Sequence, residues 1–144
     1  FQNHDVDTVV GIAQELGLCA VQLHGDEDQN FVTAIHEQLG DHVEIWKAYG
    51  VTDSSPELLD TPVSRHLLDT KVGSQTGGTG LVFDWSLIGD RSKVMLAGGI
   101  SPFNAQKAAQ QGCLGLDLNS GVEVSPGKKD AEKLQQAFDA IRSY

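Results

Sequence analysis

The chain has 144 residues, 20 acidic and 10 basic, for a formal net charge of −10. That length suits one domain with a substantial core, the 40% hydrophobic content argues against a wholly disordered chain, and no apolar run nears the ~18 residues a membrane span needs. The acid excess argues against non-specific nucleic-acid binding, which needs a basic face, but leaves small anions open, because backbone amides bind phosphate without net positive charge.

In chain order, residues 5–17 place Val6, Val9, Val10, Ala13 and Leu16 at helical spacing, with Gly17 as the stop. Residues 18–23 read as a buried strand ending at His24-Gly25. A second helix is predicted over 26–39, where Phe31, Ile35 and Leu39 recur and Asp26, Glu27 and Asp28 suit the positive N-terminal end. A strand over 43–49 follows, then a short helix within 53–62, bounded by Pro56 and Pro62. Residues 66–69 form a strand ending in Asp69, which opens into the glycine-rich loop 71–80. A short helix over 84–89 has Asp84 as its cap. The strand 93–97 ends in Gly98-Gly99, and Ser101-Pro102 starts a helix running to about Gln111. The last strand is 113–118, followed by a loop over 119–128 and a closing helix over 130–143.

One helix followed by five strand–helix units calls for a parallel sheet with crossover helices. Continuous apolar strands fit burial on both faces. An open doubly wound sheet lacks its best sign, a G-x-G-x-x-G after the first strand. Short units of roughly 25–30 residues, with polar residues and glycines at the strand ends, favour a (β/α)₈ barrel whose loops build the site. A whole barrel needs eight units and at least ~200 residues. The expectation is therefore a single partial-barrel domain over 1–144, or an open sheet.

Asp69 is a carboxylate at the C-terminal end of an apolar strand, where partial desolvation keeps a carboxyl protonated; a loop-anchoring role is the alternative. Cys19 and Cys113 lie far apart without CxxC spacing, so no metal framework is expected. Both stand at strand beginnings and read as buried small hydrophobes. No signal peptide and a cytoplasmic location are the expectations.

Four segments carry more together than singly: VQLHGDE (Val21–Glu27), LLDT with GGTGLVFDW (Leu67–Thr70, Gly77–Trp85), LAGGISPFN (Leu96–Asn104) and GLDLNSGVEVSPGKKD (Gly115–Asp130). In this order and spacing the chain resembles phosphoribosylanthranilate isomerase over almost its whole length. It is most similar to the isomerase half of bifunctional enzymes that also carry indole-glycerol-phosphate synthase. The resemblance implies a (β/α)₈ TIM barrel, with this chain starting near the end of strand 3 and covering strands 4 to 8. It implies an Amadori rearrangement of N-(5′-phosphoribosyl)anthranilate to 1-(2-carboxyphenylamino)-1-deoxyribulose 5-phosphate, in tryptophan biosynthesis, with no cofactor and no metal. Its partners would be a phosphorylated small molecule and the missing barrel strands or a synthase domain, with no nucleic acid or membrane.

By the same resemblance Asp69 is the general acid, and the general base is a cysteine ending strand 1, which this chain lacks. The 144 residues alone are expected to be inactive. Gly98-Gly99 and Asn119-Ser120-Gly121 match the phosphate loops after strands 7 and 8. Asp117 faces either the substrate or a hydrogen bond inside the barrel. His24, in the QLHG segment, serves the ligand or the local structure. Residues 73–80 fold over the ligand. The arginine that meets the anthranilate carboxylate belongs to early strands, and Arg65 is a poor substitute. Lys128 and Lys129 read as solvated, and Trp46 and Trp85 as packing residues. Two rivals remain: a non-catalytic phosphate-binding fragment or half-barrel that pairs with another chain, and the synthase itself. The latter needs a strand-end lysine, for which Lys47, inside a strand, is the sole candidate.

Overall fold

A computed structural model describes residues 1–72, 75–76 and 82–143. Most of the loop expected to close over a ligand, residues 73–80, therefore lies outside the described residues. The chain divides into two compact units, residues 1–49 with 57–67 and residues 50–56 with 68–144.

The first unit starts with α1 (Val6–Leu16), whose first turn is capped by the Asp5 carboxylate, which accepts the Thr8 N–H, and whose end is the left-handed Gly17. β1 (Ala20–Leu23), α2 (Gln29–Leu39), β2 (Glu44–Val51) and β3 (Val63–Val72) follow; the ends of β2 and β3 belong to the second unit. β1 and β2 run parallel, in register from Ala20 opposite Glu44 to Leu23 opposite Lys47. Val9, Val32 and Ile35 from the helices and Val21, Leu23 and Ile45 from the strands are at most 2% exposed and form one core. Burial of each stabilises the unit by about 1.5–3 kcal/mol.

Three expectations are corrected here. Helix α2 begins at Gln29, not at residue 26: Asp28 is its cap, accepting the Phe31 N–H, while Glu27 turns inward to a buried partner. Residues 53–62 form no helix. Their donors go to side chains instead: the Leu59 N–H to the Tyr49 hydroxyl and the Asp60 N–H to the Gln29 amide oxygen. Pro56, without an N–H, completes the break. Cys19 is exposed rather than buried, because pairing begins only at Ala20 and Cys19 lies in the preceding turn.

In the second unit, β4 (Gln75–Thr76) pairs antiparallel with the end of β3. The helix expected over 84–89 is a single 3₁₀ turn, Trp85–Leu87, with Asp84 accepting the Ser86 N–H as its cap. β5 (Val94–Leu96), α3 (Ala105–Ala109) and β6 (Gly115–Leu116) follow, with β5 and β6 parallel. The expected loop 119–128 contains a 3₁₀ turn, Ser120–Val122, and the hairpin of β7 (Glu123–Ser125) and β8 (Lys128–Lys129). Helix α4 (Ala131–Arg142) is capped by Asp130, whose side chain accepts the N–H groups of Glu132 and Lys133.

Helix α3 starts later than Ser101-Pro102 implies. The Asn104 side chain accepts the Ser101 N–H at 2.8 Å and donates to the Gly99 carbonyl at 3.0 Å. That clamp holds 99–104 as a turn, so the helix begins only at Ala105. Cys113 is half-buried, not fully buried, because it lies in the turn before β6; burial pushes its thiol up. The strand order is β1-β2-β3-β5-β6, with β4 joined to β3: an α/β fold around a five-stranded parallel sheet. Among the described residues no helix is long and apolar enough to cross a membrane.

Candidate active site

In the second unit three strand ends meet. Asp69, half-buried, stands near the end of β3, and the preceding Leu68 carbonyl accepts the Ala97 N–H at 2.8 Å, which ties β3 to the residue after β5. Gly98 then passes so close that a Cβ there would collide with Asp69 Oδ1 and the Thr70 backbone nitrogen. Gly98 and Gly99 have φ of +79° and +66°, the left-handed region that costs other residues energy. Thr70 is buried and supports this turn, its hydroxyl donating to the Gly98 carbonyl at 3.4 Å and accepting the Phe83 N–H at 3.2 Å.

The third strand end joins through Gly121. A Cβ there would collide with the Ile100 carbonyl oxygen and stand 3.1 Å from Ser101 Cβ. The structure thus brings Asp69, Gly98-Gly99 and the Asn119-Ser120-Gly121 loop together. Asn119 is exposed and its side-chain oxygen accepts from Lys129 Nζ at 2.6 Å. Lys129 also bonds Glu123 at 2.8 Å, and this bond holds the Glu123 carboxyl below its usual range. Lys129 is therefore a brace of the loop rather than a merely solvated charge; Lys128 is exposed. Asp117 lies just past β6 instead of inside it, half-buried, its N–H donating to the Leu96 carbonyl at 2.8 Å.

Side-chain-free turns let successive N–H groups close on an oxyanion. A carboxyl next to such a turn can exchange a proton with a ligand held there.

His24 belongs to the first unit and is exposed after β1; its N–H donates to the Phe1 carbonyl at 2.8 Å and its Nδ1 lies 3.4 Å from the Gln22 amide. Arg65 is engaged elsewhere: it forks onto Glu44 at 2.9 and 3.1 Å. Trp85 is buried, but Trp46 does more than pack, since its indole N–H donates to Glu44 at 2.7 Å and the Arg65 guanidinium stacks on its ring at 5.1 Å. Hydrogen bonds from Arg65 and Trp46 hold the Glu44 carboxyl low.

Sequence reasoning missed Thr70, Asn104 and the buried Glu27–Lys47 pair. Only Lys47 left a signal, as a lone charge inside an apolar strand. Among the described residues no three His, Cys, Asp or Glu side chains gather as a metal would require.

Fold and site define a strand–helix α/β protein with a carboxylate and glycine turns at its strand ends. The chain belongs to the N-(5′-phosphoribosyl)anthranilate isomerase family, whose sequence pattern matches residues 1–140. It is 67% identical to the tryptophan biosynthesis protein TrpCF of Vibrio parahaemolyticus and 58% identical to that of Vibrio cholerae, over the whole of this chain. It spans 30% and 31% of those two proteins. Among solved structures it is similar to phosphoribosyl anthranilate isomerase from Thermus thermophilus, with TM-score 0.80 and 31% identity, covering 99% of this chain and 70% of that one. The Thermotoga maritima enzyme gives TM-score 0.77 at 28% identity, covering 100% and 71%. The likeness read from the QLHG, LAGGISPFN and LDLNSGVE segments is borne out.

Proposed function

We propose that this chain is the strand 4 to strand 8 portion of a TIM barrel that isomerises N-(5′-phosphoribosyl)anthranilate in tryptophan biosynthesis. The observation that carries the reading is the packing of Gly98 on Asp69 and of Gly121 on Ile100. It sets a proton donor beside two turns able to hold a phosphate. In support, a solved phosphoribosyl anthranilate isomerase structure, 28% identical with TM-score 0.72, is a complex with reduced 1-(o-carboxyphenylamino)-1-deoxyribulose 5-phosphate.

Asp69 gives its proton to the ribose ring oxygen, the C1′–O bond breaks, and nitrogen's lone pair forms the Schiff base. A base then takes the C2′ proton. The resulting enolamine becomes the ketone when carbon C1′ is protonated and the C2′ hydroxyl loses its proton. Protons balance, and the product is an isomer. The phosphate, bound by Gly98, Gly99, Ser120 and Gly121 N–H groups with Asn119 held by Lys129, fixes the sugar during this exchange. Asp117, just past β6, and His24, just past β1, are each assigned to the ligand in this reading. The base comes from outside these residues: Cys19 precedes β1 and Cys113 precedes β6, so neither stands at a strand's C-terminal end.

An apolar groove of about 290 Å³ beside β6, lined by Ala109, Cys113, Leu116, Leu118, Phe138 and Ile141, supports a barrel completed by further strands. A cytoplasmic location and a covalently joined or associated indole-glycerol-phosphate synthase domain belong to the same reading. The test is the loss of N-(5′-phosphoribosyl)anthranilate fluorescence with the chain alone and mixed with a polypeptide bearing strands 1 to 3. The chain alone is expected to stay at background and the mixture to turn over, with Asp69→Asn abolishing it. Turnover by the chain alone would overturn the missing base; a folded but inactive mixture would overturn the isomerase reading and favour a phosphate-binding half-barrel.

A further inference from the structure

The first unit holds an ion pair that the reaction as described does not use. Glu27 and Lys47 lie 3.3 Å apart with side chains 2% and 5% exposed. Lys47 Nζ also donates to the Gly25 carbonyl at 2.7 Å and the Ala48 carbonyl at 3.1 Å, so its three protons are used. Glu27 accepts the Asn3 N–H at 2.8 Å and the Gly25 N–H at 2.9 Å. The pair therefore grips both polar groups of Gly25, one from each side. Lys47 stands opposite Leu23, the last residue of β1, so the grip falls where the chain leaves the strand.

Burying two charges costs several kcal/mol per ion, and an apolar pair of similar volume often serves stability as well or better. The surrounding core needs no ions, being built of aliphatic side chains. What an apolar pair would not supply is the fixed path of Gly25. The His24 ring lies against the Gln22 amide at 3.4 Å, and the backbone that carries it is held on either side: its own N–H on the Phe1 carbonyl and its neighbour Gly25 on the pair.

We propose that the Glu27–Lys47 pair is a positioning device that sets the His24–Gly25 turn and so presents the His24 imidazole to the sugar-phosphate ligand. Its functional half rests on the isomerase reading.

The test is NMR on the 144-residue chain with Glu27→Gln, Lys47→Arg and the double variant Glu27→Leu/Lys47→Met. The double variant is expected to keep the wild-type urea midpoint while Gly25 amide exchange speeds up about tenfold or more, the reading for a lost charge-assisted bond. The His24 ring resonances are expected to shift with it, and Lys47→Arg to restore part of the protection. If the double variant is as stable as wild type and keeps both Gly25 protection and the His24 resonances, the pair only fills space and the proposal falls. If the double variant does not fold, Glu27→Gln, which keeps the volume, decides by the same two readouts.

Reduced 1-(o-carboxyphenylamino)-1-deoxyribulose 5-phosphate is then titrated into wild type. A shift of the His24 ring resonances is expected, and the Gly98, Gly99 and Gly121 amides are followed as the separate readout of the phosphate turns. Shifts at the glycines without His24 overturn the positioning role and leave the isomerase reading intact. No shift at the glycines sinks the isomerase reading and the functional half of this proposal with it, while the exchange data still judge the turn.

Discussion

The two units hold their strand ends by opposite means. In the first, two buried side-chain charges reach across and grip the backbone at Gly25. In the second, side chains are removed: Gly98 and Gly121 let backbone lie against Asp69 and Ile100. Charge fixes a turn while leaving the neighbouring side chain free to face a ligand. Glycine brings N–H groups to the surface where an anion can reach them. The first device is sensitive to protonation, the second only to volume.

The largest expected effect breaks the charged end. Lys47→Met leaves Glu27 buried without its cation and is expected to cost about 3–5 kcal/mol in urea unfolding. The same pair predicts acid sensitivity. Burial pushes the Glu27 carboxyl up, but the N–H groups of Asn3 and Gly25, its own N–H and the Lys47 charge outweigh burial and hold it low. A carboxyl held low in the fold contributes stability that is complete above the unfolded range near ~4.3 and is lost as pH falls through the folded value. Wild type should therefore lose stability below about pH 4.5 more steeply than Glu27→Gln. Parallel acid slopes for the two would show that the carboxylate is not stabilised by its partners.

The glycine end comes next. Gly98→Ala combines left-handed strain with a collision on Asp69 and Thr70, and about 3 kcal/mol of destabilisation is expected. Phosphate affinity should fall with it, measured by calorimetry. A variant with unchanged midpoint would mean that the turn relaxes cheaply and that the contrast between the two ends is overdrawn. Smaller is Asp130→Ala, which removes the α4 cap and is expected to cost about 1 kcal/mol in thermal unfolding. The smallest effect belongs to Glu44→Gln. Its ion pair with Arg65 is open to solvent, with side chains 43% and 30% exposed, and the unfolding midpoint should barely move.

Much of this was legible in the residues. The apolar spacing of α1 and α4 predicts both helices to within about two residues. Asp69, Gly98-Gly99 and Asn119–Gly121 stand out as a carboxylate and glycine turns after short strands, and the structure gathers them. Other signals misled. Asp26, Glu27 and Asp28 look alike as helix-starting acids, yet only Asp28 caps and Glu27 is buried. Ser101-Pro102 has the form of a helix start, but Asn104 intercepts the Ser101 N–H.

By itself the sequence determined the order of the five parallel strands, the buried faces of α1 and α2 and the family, because periodicity, caps and linear motifs are local and survive in one dimension. Only the tertiary structure decided which of several equivalent acids is buried, that Lys129 braces Asn119, and that Gly98 and Gly121 are required by contact. Each of those depends on what a residue distant in the chain places beside it, and desolvation and steric exclusion act only once that neighbour has arrived.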